Sequence, residues 1–219
     1  MPASLQLLGQ FALHDDRPLS TTPVCRRLLA YLALRGHPVS RAVTAAQLWP
    51  DLPAQRAHAS LRTTLWRLTG RELVSAGPSG LALAGTVRVD VREAHRLAGD
   101  PEADMALFER DLLPDWPEDW LLLDREWFHE LRLRALEALG EAHLCQGRPV
   151  PAWAAATAVV RAEPLRESGH RLLLRLHLAE GNAAAALRHY ERFRRQLRAE
   201  LGVAPSPRLH RLIAPLVRG

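Results

Sequence analysis

The sequence predicts a mainly α-helical chain whose few small β elements lie in its first part. Apolar residues recur at helical spacing through much of the 219-residue chain, and from Asp90 onward the pattern is helical throughout. Short apolar runs that alternate with polar residues and are separated by glycine-containing turns precede that point and indicate strands. This change of pattern predicts two domains, residues 1–93 and residues 94–219.

The first elements of the N-terminal domain are a hairpin and two helices. "SLQLLGQFAL" alternates and "HDDRPL" follows it as a turn, which indicates a small hairpin or meander. Residues 24–35, "VCRRLLAYLALR", form an amphipathic helix that ends at Gly36. A short helix from about residue 41 to residue 49 comes next, with Ser40 or Thr44 as its cap.

A third helix is expected in residues 51–70, "DLPAQRAHASLRTTLWRLTG". Asp51 is expected to cap this helix, and Pro53 is suited to its first turn because the N–H that proline lacks is not needed there. One face carries apolar residues at the spacing of a helix that lies on a core. These residues are Ala54, Ala57, Leu61, Leu65 and Leu68.

The opposite face of the third helix carries hydrogen-bond donors and no acid. It consists of Arg56, Ser60, Thr63, Trp66 and Arg67, with Arg62 on its flank. No Asp or Glu occurs between Asp51 and Glu72. A solvated face usually mixes both charge signs, whereas a face that meets an anion excludes acids. On this helix alone, an ordinary solvated face and a nucleic-acid-binding face both stay open.

Strands follow the three helices. "ELVSAGPSGLAL" contains two short apolar runs around a Gly-Pro-Ser-Gly turn, and "TVRVDV" reads as a further strand. Three helices followed by a β-hairpin predict a winged helix-turn-helix. In that fold the third helix enters the major groove of DNA, and the hairpin touches the backbone or the minor groove.

The charge distribution agrees with a nucleic-acid partner. Residues 1–93 hold 11 arginines against 6 acidic residues, a net charge of +5, whereas residues 94–219 hold 18 of each. The whole positive excess of the chain therefore lies in the domain that carries the third helix. Counterion release favours the binding of such a domain to a polyphosphate such as double-stranded DNA.

The second domain is predicted to be all helical and to resemble tetratricopeptide repeats. Gly147 and Gly181 end helices 34 residues apart, and an Ala-rich helix follows each of them. This period, with small residues at close crossings, is typical of tetratricopeptide repeats, which stack and leave a concave binding surface. A generic helical bundle is the alternative.

An acidic stretch precedes these repeats. Residues 100–126 hold ten acidic residues against two arginines, and a long helix is expected from about residue 119 to residue 146. Trp116, Trp120 and Trp127 lie among leucines there, so they are expected to be core or partner-interface residues.

The sequence lacks the motifs of an enzyme. It contains no GxxxxGK[ST], no HExxH and no Cys/His spacing typical of zinc, and "GPSG" is explained by a hairpin turn. His170, His177 and His189 lie in repeat helices, where packed or surface histidines are the ordinary case. We therefore expect no catalytic activity, no cofactor and no metal.

Further features favour a cytoplasmic protein. No apolar run is long enough to cross a membrane, and "MPASLQLLGQF" lacks the basic region and apolar core of a signal peptide. Cys25 and Cys145 have no CxxC partner and lie in apolar helical patterns. Buried free thiols and a reducing compartment are therefore expected.

Both domains resemble one known family. The first domain resembles the OmpR-type winged helix at the front of the Streptomyces antibiotic regulatory proteins, in "LQLLGQFAL", "DRPL", "LLAYLALRGHPVSR", "LWPD" and "ASLRTTLWRL". The second resembles their bacterial transcriptional activation domain, in "LLPDWPEDWLLLDREWFHELRLRALEAL" and "AEPLRESGHRLLLRLHLAEGNAAAALRHYERFRRQLRAELGVAPSP". The resemblance implies a cytoplasmic transcriptional activator, not an enzyme, that binds direct repeats near promoters and contacts RNA polymerase. Whether the protein binds DNA as a homodimer stays open at this point.

The expected DNA contacts can be assigned to individual residues. Arg56 and Arg67 are expected at guanine edges or phosphates, and the short side chains of Ser60 and Thr63 are suited to close groove contact. Trp66 is expected either on sugar–phosphate or against the hairpin.

Other residues are expected to position the protein on the DNA backbone. Arg62 is suited to a phosphate, and Ser40 and Arg41 to the backbone at the start of the second helix. Ser75 and Ser79 are the polar candidates on the hairpin. A protein-interaction adaptor with a weakened DNA-binding module is the alternative function, because the hairpin is short and carries no basic residue.

Overall fold

The computed structural model describes residues 3–15, 22–70 and 72–217. By packing, the chain separates into two compact units. The first consists of Met1–Arg96 and Arg110–His129, and the second of Leu97–Glu109 and Glu130–Gly219. The predicted functional boundary at residue 93 stays a prediction, because each packing unit consists of two separate segments of the chain and neither unit ends at residue 93.

The first unit opens with a small sheet. β1 (Ser4–Gln6) pairs antiparallel with β2 (Ala12–His14), and β5 (Arg88–Val89) pairs parallel with β1 on its other side. The expected N-terminal hairpin is therefore present. Most of the "HDDRPL" turn, residues 16–19, lies outside the described residues. The strand expected in "TVRVDV" is limited to the two residues of β5.

Three helices follow in the expected order. α1 (Pro23–Arg35) is capped by the Thr22 side chain, which accepts from the Cys25 N–H, and it ends before Gly36, whose φ is +68°. α2 (Arg41–Leu48) is capped by Ser40, so of the two predicted caps Ser40 is the one used. Thr44 instead lies buried within α2, and its hydroxyl donates to the Ser40 carbonyl.

The third helix, α3 (Ala54–Arg67), corrects two details of the prediction. Pro53 is the N-cap residue, and no side chain caps the helix, so neither the expected Asp51 cap nor the first-turn position of Pro53 is correct. Ala54 is exposed, because it opens the helix beyond the edge of the core. Ala57, Leu61 and Leu68 are buried as predicted, and Leu65 is half-buried.

A β-hairpin follows the helices and is attached to the loop before α2. β3 (Val74–Gly77) pairs antiparallel with β4 (Gly80–Leu83). The backbones of Val39 and Leu81 exchange two hydrogen bonds of 2.8 Å. The hairpin is therefore fixed to the residue that precedes the α2 cap.

The helix α4 (Asp90–Leu97) is joined to the end of β1 by one carboxylate. Asp90 accepts hydrogen bonds of 2.9–3.0 Å from the N–H groups of Leu7 and Leu8, and one of 2.8 Å from Val91. Burial raises the pKa of Asp90 although these hydrogen bonds act to lower it.

Residues 110–129 return to the first unit and cover its sheet and α1. Leu112 forms a β-bridge with Leu8, and the Gly9 N–H donates to the Asp111 carbonyl at 2.7 Å. Arg125 holds the loop that contains these residues, because its guanidinium donates to the carbonyl oxygens of Leu112, Leu113 and Trp116. Leu113 adopts a φ of +41° within this loop.

The second unit is built from consecutive helices. These are α5 (Leu122–Cys145), which begins in the first unit, then α6 (Pro149–Ala162), α7 (Glu167–Ala179), α8 (Ala183–Leu201) and α9 (Pro207–Val217). α6 packs on α7, α7 on α8, and α9 on both α7 and α8. Gly147 and Gly181, with φ of +68° and +74°, lie between helices as the 34-residue spacing predicts.

Small residues allow close helix crossings in this unit. A Cβ on Gly169 would lie 2.8 Å from a methyl carbon of Val159, and a Cβ on Gly140 would collide with Leu172. The prediction of small residues at the crossings is therefore confirmed at α7 against both α6 and α5.

The two cysteines lie in different environments. Cys25 is buried, as expected, but Cys145 is exposed, because it lies in the last turn of α5 just before the turn at Gly147. In the part of the chain that the structure describes, no helix has both the length and the apolar character needed to span a membrane.

Candidate nucleic-acid interface

The outward face of α3 presents the predicted donors to solvent. Ala57, Leu61 and Thr64 anchor the helix on the core, which turns the opposite side outward. Ser60 is half-buried at the border of this face. The exposed members are Arg56, Arg62, Thr63, Trp66 and Arg67.

Trp66 points into solvent. Its side chain is 76% exposed, so of the two predicted positions the structure has the outward one and not the one packed against the hairpin. An exposed indole on a basic helix offers a flat apolar surface that can pack against sugar and phosphate.

Two threonines of α3 have different environments. The Thr63 hydroxyl donates to the Ala59 carbonyl at 3.1 Å, which leaves its methyl group and oxygen lone pairs available on the exposed face. Thr64, which the sequence analysis did not select, is buried, and its hydroxyl donates to the Ser60 carbonyl at 2.8 Å. This bond satisfies a polar group that would otherwise be costly to bury.

Two further polar residues of α3 were missed. Gln55 and His58 are exposed. On a helical wheel of about 100° per residue, Gln55 falls about 20° from both Arg62 and Trp66. The signal was therefore present in the spacing, and Gln55 belongs to the same face.

The start of α2 and the tip of the hairpin lie together. The Ser40 hydroxyl oxygen accepts from the Val43 N–H at 3.2 Å, and Arg41 is exposed beside it. Gly80 packs so closely on the Val39–Ser40 backbone that a Cβ there would lie 3.0 Å from the Ser40 nitrogen. Ser79, the residue before Gly80, is therefore held next to the α2 cap, and it is exposed.

Ser75, the other hairpin candidate, lies farther from the turn than Ser79. It is exposed on β3, and its hydroxyl donates to the Ala82 carbonyl across the hairpin at 3.4 Å. The structure thus groups Ser40, Arg41 and Ser79 near the tip of the hairpin, whereas Ser75 lies away from that tip on β3.

The positive charge of the first unit is localised rather than general. Twelve arginines face six acids in residues 1–96, and two face six in residues 110–129, which gives the unit a net charge of +2. Arg27 pairs with Glu118 at 2.8 Å, and Arg35 pairs with Asp124. Arg56, Arg62 and Arg67 lie instead on a helix that contains no acid.

The described residues contain no candidate metal centre. Among residues 3–15, 22–70 and 72–217, no three His, Cys, Asp or Glu side chains are grouped so that they could hold a metal ion.

Comparison with known proteins shows that the chain is similar to one domain family and to bacterial regulatory proteins. The bacterial transcriptional activator domain family matches residues 80–216. The regulatory protein AfsR of Streptomyces coelicolor is 32% identical over 229 residues, and AfsR of Streptomyces griseus is 30% identical over 224 residues. These alignments cover 92% and 91% of this chain but 23% of each relative. The chain thus spans about a quarter of the length of these relatives.

A solved structure has the same fold. The structure of Mycobacterium tuberculosis EmbR in complex with a low affinity phosphopeptide superposes with a TM-score of 0.72 at 24% sequence identity. The match covers 99% of this chain and 65% of that one.

Proposed function

The chain belongs to the bacterial transcriptional activator domain family, and from this premise we propose that it is a sequence-specific DNA-binding transcriptional regulator. It acts as an activator of the Streptomyces antibiotic regulatory type. Residues 1–93 provide an OmpR-type winged helix-turn-helix, and residues 94–219 provide a tetratricopeptide-like activation domain. The observation that carries this proposal is the exposed face of α3, which presents three arginines and no acid.

In this proposal α3 is the recognition helix in the major groove. Arg67 and Arg56 reach guanine edges or phosphates, and Thr63 offers its methyl group to a thymine methyl. Gln55 adds an amide that can bond bidentately to adenine. Trp66 packs on sugar and phosphate beside these contacts.

The remaining residues set the register on the duplex. Arg62 contacts a phosphate, and Ser40 and Arg41 contact the backbone from the start of α2. Ser79 extends that contact from the hairpin tip, because it is held beside Ser40. Ser75 and Ser60 lie at the edges of the surface, where they contribute less.

The test begins with selection of a preferred sequence from a random DNA pool by the full chain. Arg67→Ala is then expected to lose about 1–3 kcal/mol of binding free energy on the selected sequence and much less on random DNA, if Arg67 reads a base. Affinity is measured by fluorescence anisotropy at several salt concentrations, because phosphate contacts make it fall steeply with salt.

Arg134→Ala is the matched control, because Arg134 is an exposed arginine on α5 in the second unit. It should leave both affinities unchanged. Equal losses on both DNAs would reassign Arg67 to a phosphate, and an affinity that does not change with salt would refute DNA binding altogether.

The proposed partner of the activator is RNA polymerase, in agreement with the family's role in transcription. An apolar strip within an acidic region begins α5: Leu123 is 78% exposed and Trp127, one turn later, is 48% exposed. Asp119 and Glu126 are exposed beside it. Aromatic and aliphatic anchors of this kind supply most of the energy in protein interfaces.

Leu123→Ser tests this surface. It should reduce activation in a reconstituted transcription assay about fivefold or more, while DNA affinity stays the same, because it removes an apolar contact and nothing from α3. Val150→Ser is the control, since Val150 is equally exposed at 78% but lies on α6. If both variants behave like the wild type, the polymerase contact lies elsewhere.

A protein-interaction adaptor is the second candidate. It is favoured by the hairpin turn, whose residues Pro78 and Ser79 carry no charge, and by the net charge of only +2 on the first unit. In that case DNA selection would enrich no sequence, fragment 94–219 would retain the activity, and residues 1–93 would be dispensable.

A further inference from the structure

A pocket on the second unit has the size of a small-molecule site. Its volume is about 640 Å³, within the usual range of 300–1,000 Å³ for ligand pockets. Helix α6 contributes Ala154, Ala158 and Ala162, which lie at intervals of one turn and leave a flat apolar wall.

Two arginines give this pocket its chemistry. Arg132 is only 5% exposed, and its Nη1 donates to the Phe108 carbonyl at 3.4 Å. Arg161 is exposed at the same pocket, and Glu109 supplies one opposing charge, so the three groups sum to +1. A guanidinium stays charged even when buried, and its fork of donors matches a carboxylate or a phosphate.

Trp153 forms another part of the lining and is held in place. Its indole Nε1–H donates to Glu180 at 2.9 Å, and its ring meets the His177 ring edge-on with centroids 4.7 Å apart. A fixed aromatic side chain beside small residues suits a planar apolar group, because both surfaces can be covered without reordering the indole.

We propose that this pocket binds a small organic anion, in which one carboxylate or phosphate is attached to a flat apolar body. Arg132 and Arg161 bond the anionic group, and Trp153 and the alanines of α6 cover the apolar body. Thr157, also in the lining, offers a hydroxyl to the same ligand. The site lies wholly within the second unit, and the inference does not depend on DNA binding.

The probe for this test is 8-anilinonaphthalene-1-sulfonate, an anion on a flat apolar body that fluoresces when it leaves water. We expect one saturable site on the full chain. Arg161→Gln should weaken it about tenfold or more, because hydrogen bonds to charged groups contribute that much. Ala158→Leu should abolish it by filling the pocket. Arg208→Gln and Ala199→Leu, exposed on α9 and α8, should bind like the wild type.

Competition identifies the chemistry of the ligand. Benzoate or phenyl phosphate should displace the probe, and the stronger of the two tells whether the site prefers a carboxylate or a phosphate. Benzylamine, which has a similar shape but a positive charge, should not displace it. Equal binding to all variants, or equal displacement by benzylamine, would overturn the proposal.

Discussion

At the scale of single residues, Gly80 determines where the hairpin lies. Its φ of +128° is a conformation that L-residues rarely adopt, and a Cβ there would collide with the Val39 carbonyl. Only a glycine therefore allows the paired hydrogen bonds between Val39 and Leu81 that bring the hairpin to the start of α2.

Replacement of this glycine should be costly. Gly80→Ala should lower the free energy of unfolding by about 1–3 kcal/mol, because the strained backbone and the collision act together. Urea denaturation of the full chain measures this loss. Gly77→Ala is the control, since Gly77 lies in the same hairpin with open space around its Cβ position. If the two variants lose the same free energy of unfolding, the close approach at Gly80 does not contribute to stability.

Single-residue predictions from the sequence succeeded where local geometry decides and failed where packing decides. The cap at Ser40 depends only on its own side chain and the next turn, and it is present. The predicted burial of Cys145 would have required packing against another element, and the cysteine is instead exposed in the last turn of α5. Asp51 failed as a cap because α3 begins only after Pro53.

At the scale of elements, periodic helices could be predicted and non-local loops could not. The buried and exposed faces of α3 follow from its 3.6-residue period, and the donors that the sequence selected on it are exposed except for Ser60. The return of residues 110–129 to the first sheet had no such signal. It depends on the β-bridge between Leu8 and Leu112, which are far apart in sequence. It also depends on the hydrogen bonds that Arg125 donates to three carbonyl oxygens of an irregular loop. Neither contact leaves a periodic pattern in the sequence.

The helices α7 and α8 bring three histidines together. His170 Nε2 lies 2.9 Å from the Pro164 carbonyl, so this nitrogen carries the proton, and His170 Nδ1 accepts from His189 Nε2 at 3.0 Å. The His177 ring lies 6.0 Å from that of His189. The arrangement suits neutral rings, because a proton added to His170 Nδ1 would oppose the donor of His189.

This cluster should make the second unit sensitive to acid. Burial, together with His170, Arg192 and His177, lowers the pKa of His189 from 6.5 to about 4, and burial also lowers the pKa values of His170 and His177. Below pH 6.5 the unfolded chain therefore binds protons that the folded chain does not, and the free energy of unfolding falls as the pH drops toward 4.

Thermal melts between pH 7.5 and pH 5 test this dependence. His189→Gln should flatten the decrease in melting temperature, since it removes the group with the largest pKa shift. His37→Gln, which changes an exposed histidine of the first unit, should leave the decrease as it is in the wild type. An identical decrease in all three proteins would exclude the cluster as its source.

At the scale of the whole molecule, the first packing unit is longer than the predicted DNA-binding domain. Residues 110–129 supply a stacked pair between Trp116 and Phe11, with ring centroids 5.6 Å apart, and an edge-on pair between Trp120 and Tyr31 at 5.3 Å. They also supply Glu118, the ion-pair partner of Arg27. A fragment that ends at residue 93 lacks all of these contacts.

Two fragments separate the unit that folds from the part that binds DNA. Fragment 1–129 should bind the selected DNA sequence about as tightly as the full chain, because it keeps α3, the hairpin, the two aromatic pairs and the ion pair between Arg27 and Glu118. Fragment 1–93 should melt about 10 °C or more below fragment 1–129, since each aromatic pair contributes about 0.5–1.5 kcal/mol and 1 kcal/mol shifts the melting temperature of such a domain by about 4–8 °C. Fragment 1–93 should not activate transcription, because it lacks Leu123 and Trp127, the surface proposed for RNA polymerase. Fragment 1–129 keeps that surface, so its activity shows whether the surface suffices without the helices from α6 onward. Calorimetry, anisotropy and a transcription assay on the two fragments and the full chain measure the three properties. Equal melting temperatures for the two fragments would mean that residues 110–129 add nothing to the stability of the first unit. Activation by fragment 1–93 at the level of the full chain would refute the role assigned to residues 94–219.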